Sequence, residues 1–382
     1  MNPIRRSAAA IAAVVTATAG LLAGSGILAT SANASTSFLG TLTQNTPVAS
    51  TIPASNGDLN PYGVAVVPNS TGDLVRGDVL VSNFNNSANL EGTGTTIVQV
   101  SRSGAVTQFA GLNGHLAGCP GGGVGLTTAL VVLPSGWVIV GSLPSTDGLP
   151  DGLGQAGCLI VLDSHGNVRE TFSGDGINGP WDMTALNLGG ITELFVTNVL
   201  NGIVPPAPGS TTDSTANEGT VLRLLITSGP SALPRLLAVT QIGSDFPEST
   251  DPMALIIGPT GVGLGPNGTL YVADTLDNRI AAIPGAAVRF SDDGTGQTVS
   301  EGGHLNGELG LAIAPNGDIL TVNGGDPNIV EVTPGGQQVD HKNIDRSTPG
   351  GAAGDLFGLA VSLDGSAVYY VNDGNNKLYR LS

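Results

Sequence analysis

Asn60, Asp182, Glu308 and Asp355 stand in or beside four short stretches, "NPYG", "INGPWDM", "LNGELG" and "GDLFG". Amide and carboxylate oxygens carried on separate loops are what a divalent cation takes when several of them converge and a coordination position stays open for substrate. Solvated or turn-capping side chains are the competing reading of the same residues. Beside them stand Tyr62, Trp181 and Phe357, in a chain with only 2 Trp, 5 Tyr and 8 Phe. Gathered around one opening, these rings would either plug it or stack on a sugar, a lipid-like molecule or an aromatic ring. Tyr62, Trp181, Phe357, Asn60 and Asp182 are thus the expected ligand-binding set. Asp182, Glu308 and Asp355 are the expected metal set, for Ca or Zn if any cofactor is bound.

Imidazole is scarce, with 4 His in the chain. His115 and His304 lie in segments that lead toward the same loops, as weak zinc ligands or, for His115, as a general base with an ordinary pKa of about 6.5. His165, in "DSHGN", reads as an outer hairpin turn. "GCPGGGVG" lacks the Lys-Ser/Thr of a phosphate loop and precedes a strand, and neither Ser135 nor Ser142 has a nucleophile context.

The elements that must position these residues are strands. Short runs of Val, Ile, Leu and Thr bounded by Gly, Asn, Asp and Pro recur throughout, and no helical period is sustained outside the first residues. "GLAIAPNGDILTVNGGDPNIVEV", from Gly310, is the clearest unit: an apolar strand, a Pro-Asn-Gly turn, a second strand ending in Asn, then a third. Related units begin near Tyr62, Leu126, Trp181, Gly261 and Phe357. Spaced about 50 residues apart in the C-terminal half, strand repeats of this kind build propeller blades. The expected fold is therefore all-β, a six-bladed β-propeller over residues 35–382. Its last copy stops after a third strand, so the N-terminal strand of the mature chain, expected at residues 36 to 43, would close that blade. Gly63, Gly261, Gly310 and Gly358 open the inner strands, where crowding near the axis favours glycine.

Within this pattern, "VADTLDNRI" and "LNGELGLAIAPNGDI" resemble the NHL repeat, and the strand pairs are similar to those of gluconolactonase and regucalcin-like propellers. The resemblance covers nearly all of residues 35–382. It implies a site at the channel mouth and, for gluconolactonase-like members, a divalent cation held by Glu, Asn and Asp, with Asn or Asp directly before the Gly of an inner strand. The matching positions here hold Tyr62, Trp181, Thr260, Leu309 and Phe357. The related amidating lyases hold zinc through His. NHL-like proteins also include binding modules, so a ligand- or protein-binding role stands beside a lactonase-like or lyase activity.

Composition bounds the partners. With 30 acidic against 13 basic residues and a net charge of −17, the chain repels nucleic acid and anionic membranes. Arg5 and Arg6, an Ala-rich apolar run and "ANA" ending at Ala34 read as a secretory signal peptide over residues 1–34, of bacterial appearance, with an uncleaved anchor as the alternative. The expectation is a secreted or cell-envelope monomer, free of the membrane after cleavage, whose partner is a small molecule, glycan or protein. In an oxidising compartment the 2 cysteines, Cys119 and Cys158, are expected to pair. Two stretches, residues 147–154 and 201–219, read as polar loops that interrupt their blades.

Overall fold

The computed structural model describes residues 36–112, 116, 118–120, 123–143, 145, 156–202, 215–251, 254–345 and 354–382. The leader reading of residues 1–34, His115 and the loop at 147–154 lie outside them, as do residues 203–214 of the second polar loop. Among the described residues no helix is long and apolar enough to cross a membrane.

From Ser37 onward the chain winds into six sheets. The turn α1 (Phe38–Thr41) and the strand β1 (Asn45–Ser50) come first. The first blade is β2 (Leu59–Val66), β3 (Val79–Asn85), β4 (Thr96–Val100) and β5 (Val106–Gly111). In the second stand β6 (Leu130–Val132), β7 (Val138–Ser142), β8 (Cys158–Leu162) and β9 (Val168–Phe172). A five-stranded third blade holds β10 (Gly179–Asn187), β11 (Ile191–Val199), the long pair β12 (Thr215–Thr227) and β13 (Leu236–Asp251), and β14 (Leu255–Ile257). The fourth is β15 (Pro259–Leu264), β16 (Leu270–Asp274), β17 (Arg279–Ile283) and β18 (Gln297–Glu301). The fifth is β19 (Glu308–Ile313), β20 (Ile319–Asn323), β21 (Asn328–Val332) and β22 (Gln338–Asn343). Last come β23 (Leu356–Val361), β24 (Val368–Asn372) and β25 (Lys377–Leu381), with β1 as the fourth strand of that sheet. Every pairing within a blade is antiparallel, and the innermost strands β2, β6, β10, β15, β19 and β23 contact one another around a ring. This is a six-bladed β-propeller.

Burial follows from the layering. Strands such as β3, β4, β7, β8, β16 and β17 are buried along their whole length because a neighbouring blade covers each face. The outermost strands β5, β9 and β22 turn charged and polar residues to water. A disulfide joins Cys119 to Cys158, both buried between the first two blades.

Closure differs from the expectation in its register along the chain. Residues 36 to 43 do not form the closing strand. Ser37 instead caps a helical turn through its Oγ, which accepts from Gly40 N–H at 2.7 Å, and Phe38, Leu39 and Leu42 sink into the core of the last two blades. The buried Glu331 carboxylate accepts from Phe38 N–H at 2.8 Å, Leu39 N–H at 2.7 Å and Ser37 Oγ at 2.6 Å. The strand that closes the ring is β1, running from Asn45 opposite Leu381 to Ser50 opposite Lys377.

Candidate functional site

The inner strands share one irregularity. In β2, β10, β15, β19 and β23 the register to the next strand slips within the first residues, between Pro61 and Val64, Pro180 and Asp182, Pro259 and Val262, Glu308 and Leu311, and Leu356 and Leu359. Each slip places a glycine at the closest approach to the next blade, except in β10, where Asp182 stands at that step. A Cβ on Gly261 would collide with Leu309 O, one on Gly310 with Phe357 O, and one on Gly358 with Tyr62 O. Of the residues just before these positions, Trp181, Leu309 and Phe357 line a cavity at this end of the ring, Tyr62 packs against Trp181 and Phe357, and Thr260 is bonded to Thr275 and to the next blade.

Three of them meet. The Tyr62 ring lies 4.7 Å from that of Phe357 and edge-on to Trp181 at 5.8 Å, and Trp181 Nε1–H donates to Tyr62 Oη at 2.7 Å. Tyr62 and Trp181 are buried, at 2% and 1% exposure, whereas Phe357 is half-buried. Burial first, then the nearby Asp182 carboxyl, pushes the Tyr62 hydroxyl far above its ordinary range. The rings form a septum across the channel: a plug whose upper surface, made chiefly by Phe357 with an edge of the buried Trp181, is also the floor of a cavity.

That cavity, of about 830 Å³, opens at the end where the inner strands begin. Its apolar side is Trp181, Phe357, Leu309, Leu276 and Ile257; its polar side holds Asn60, Glu91, Asp251, Asp355, Asp373 and Asn376. A second cavity of about 330 Å³ lies at the opposite end, among the later residues of the same inner strands, and it is there that Asp182 opens. Asn60 takes a left-handed backbone, φ 59°, and donates its N–H to Asn376 Oδ1 at 2.6 Å. Asn85 Nδ2 donates to Glu91 Oε1 at 2.9 Å, leaving Glu91 Oε2 with no hydrogen-bond partner. Asp373 Oδ1 and Asn60 Oδ1 likewise lack one.

Three acids at the mouth, Glu91, Asp355 and Asp373, are raised toward or past neutrality. Burial, partly offset by Asn85, raises Glu91 to about 7. Burial together with the Asp355 and Glu91 carboxyls raises Asp373 to about 8. Asp355 is raised to about 6 by burial and by the adjoining Asp345.

The expected metal set is not brought together. Asp182 lies beyond the septum, its carboxyl accepting from Met183 N–H at 2.7 Å and from Val262 N–H of the next blade at 3.3 Å, and burial raises it to about 7. Glu308 is fully buried in the wall, near the bonded pair Asp274–Arg279. Burial lifts it to about 8, and neither of its oxygens makes a well-formed hydrogen bond. Asp355 alone of the three lines the mouth. Among the described residues no three His, Cys, Asp or Glu side chains are grouped to hold a metal. His304 stacks on His341 of β22 at 3.6 Å, on the outer rim and away from the channel.

Glu91, Asp373 and Asn376 escape a search confined to loops that enter inner strands, because they sit on connections from a second strand to a third. One signal does point there: second strands end in Asn, Asp or Ser. Asn85, Ser142, Asn198, Asp274, Asn323 and Asn372 are all buried around the same end of the ring.

Solved structures with this ring are numerous. A gluconolactonase from Xanthomonas campestris is 13% identical, with a TM-score of 0.55 over 89% of this chain and 95% of that one. A calcium-binding regucalcin from Agrobacterium tumefaciens is 12% identical, with a TM-score of 0.51 over 87% and 92%. A luciferin-regenerating enzyme is 11% identical, with a TM-score of 0.52 over 88% and 95%. Fold is what these likenesses establish. No family model matches the chain, and no curated protein matches it.

Proposed function

We infer that the protein is a binding module that holds a small organic molecule in the mouth cavity, on the floor made by Trp181 and Phe357. The observation that carries this reading is the septum: aromatic rings occupy the head of the channel, beneath a cavity large enough for a small organic molecule, and among the described residues no metal ligands converge there. Export to an oxidising compartment is part of the reading, supported by the leader-like residues 1–34 and the disulfide.

Tryptophan emission tests it, since the chain has only 2 Trp and the other, Trp137, lies in the core between the second and third blades. A ligand found by screening aromatic and glycan fragments is expected to shift the emission of Trp181. Phe357→Ala is expected to weaken that ligand by about tenfold, the equivalent of 1 to 2 kcal/mol. Binders that leave Trp181 emission and the Phe357→Ala affinity unchanged would place the site elsewhere.

A second reading, a lactonase-like hydrolase, is favoured by Glu91 and Asp373, whose pKa values of about 7 and 8 suit a general base or acid. The gluconolactonase among the structural relatives and the calcium-binding regucalcin make lactones, with and without calcium, the substrates to try. Turnover abolished by Glu91→Gln or Asp373→Asn would establish it.

A further inference from the structure

We propose that the ligand of the mouth cavity is an organic cation, a protonated amine carried on an apolar or aromatic body, with the amine held between Glu91, Asp373 and Asn60 and the body laid on Trp181 and Phe357. This rests on the reading of the mouth as a ligand site and specifies the ligand.

Four carboxyl groups, Glu91, Asp251, Asp355 and Asp373, line the cavity, and no Lys, Arg or His is among the described residues that line it. Such a group of acids would mean little on an exposed face. Here, three acceptor oxygens are withdrawn from water without a donor: Glu91 Oε2, Asp373 Oδ1 and Asn60 Oδ1. Asn60 is 8% exposed, lines the cavity with an unpartnered side-chain carbonyl, and has a left-handed backbone held by donation of its N–H to Asn376 Oδ1. An ammonium has three donors and no acceptor, which matches this set of orphaned acceptors.

A metal ion meets the set less well. The required grouping of acids is lacking among the described residues, and Trp181, Phe357, Leu309, Leu276 and Ile257 present hydrocarbon that a hydrated ion would leave bare. An amine on an apolar body satisfies both halves, and a cation over Trp or Phe gains from the ring face as well. The net charge of −17 draws cations toward the surface. Glu91 faces Asp251 and Asp373, while Asp373 faces Asp355 and Asp355 faces Asp345, so a bound cation also relieves repulsion among like charges.

The test titrates the purified protein by calorimetry with 2-phenylethylamine, 2-phenylethanol, phenylacetate and calcium chloride at about pH 8, where carboxyls of this kind ionise. The amine is expected to bind about tenfold or more tighter than the alcohol, and the acetate not at all. Glu91→Gln and Asp373→Asn, each near-isosteric, are expected to bring the amine down to the affinity of the alcohol. Amine affinity should also fall about tenfold between roughly pH 8 and pH 5 as the carboxyls take up protons. Equal binding of amine and alcohol would overturn the charge assignment and leave the mouth reading intact. Calcium bound in place of the amine would assign the acids to a metal and overturn it as well. If none of the aromatic probes bound and Trp181 emission stayed constant, the amine proposal and the mouth reading would fall together.

Discussion

Tyr62 joins the two sides of the septum, and its role separates into ring and hydroxyl. The ring packs between Trp181, Phe357 and Phe84, while the hydroxyl accepts the hydrogen bond of the buried Trp181 Nε1–H. Tyr62→Phe keeps the packing and orphans that donor, so it is expected to cost about 1 to 3 kcal/mol in urea unfolding while leaving ligand affinity within about twofold. An unchanged midpoint would mean that the indole finds another acceptor. At this scale the sequence is a good guide to the rings and a poor one to the charges. Tyr62, Trp181 and Phe357 occupy equivalent positions in three repeats, so one alignment brings them together. Asp182 occupies the step that glycine fills elsewhere, and the slip in β10 sends its carboxyl toward Val262 and the far cavity, an outcome set by local register rather than by residue type.

Among elements, the repeat is legible because its hairpins are chemically explicit. Gly268 and Gly317 close their turns with φ of 77° and 89°, conformations that few other residues accept, and the flanking strands align on them. The N-terminal segment has no such marker. "TSFLGTLTQ" carries strand-like residues, and what makes part of it a helical turn is Glu331, distant in sequence, whose carboxylate captures the free N–H groups of Phe38 and Leu39. Glu331→Ala leaves those donors without an acceptor beside the buried Phe38 and Leu39. It is expected to destabilise by about 2 to 4 kcal/mol and to expose Ser37–Leu42 to proteolysis. A variant as stable and as protease-resistant as the parent would show that apolar burial of α1 suffices.

Across the whole molecule, burial of acids sets the response to pH. Asp182 and Glu91 are raised to about 7 and Glu308 and Asp373 to about 8, from ordinary values near 4. Between those limits the folded chain binds more protons than the unfolded one, so stability is greatest below the unfolded values and is lost as pH rises through 7 to 8. The melting temperature is expected to be about 5 °C or more lower at pH 8 than at pH 5, with Asp182→Asn narrowing the gap. A higher melting temperature at pH 8 would contradict the burial of these carboxyls. The ring itself also has a consequence in time. β1 pairs only with β25, near the other end of the chain, yet Glu331 and Lys342, which grip the segment just before β1, lie in the fifth blade. The start of the propeller can therefore be moored to the fifth blade before the sixth is made. The last strand then arrives at a partner already in place: the long-range search is made when Glu331 captures Phe38 and Leu39, and pairing of β25 with β1 adds only a short one.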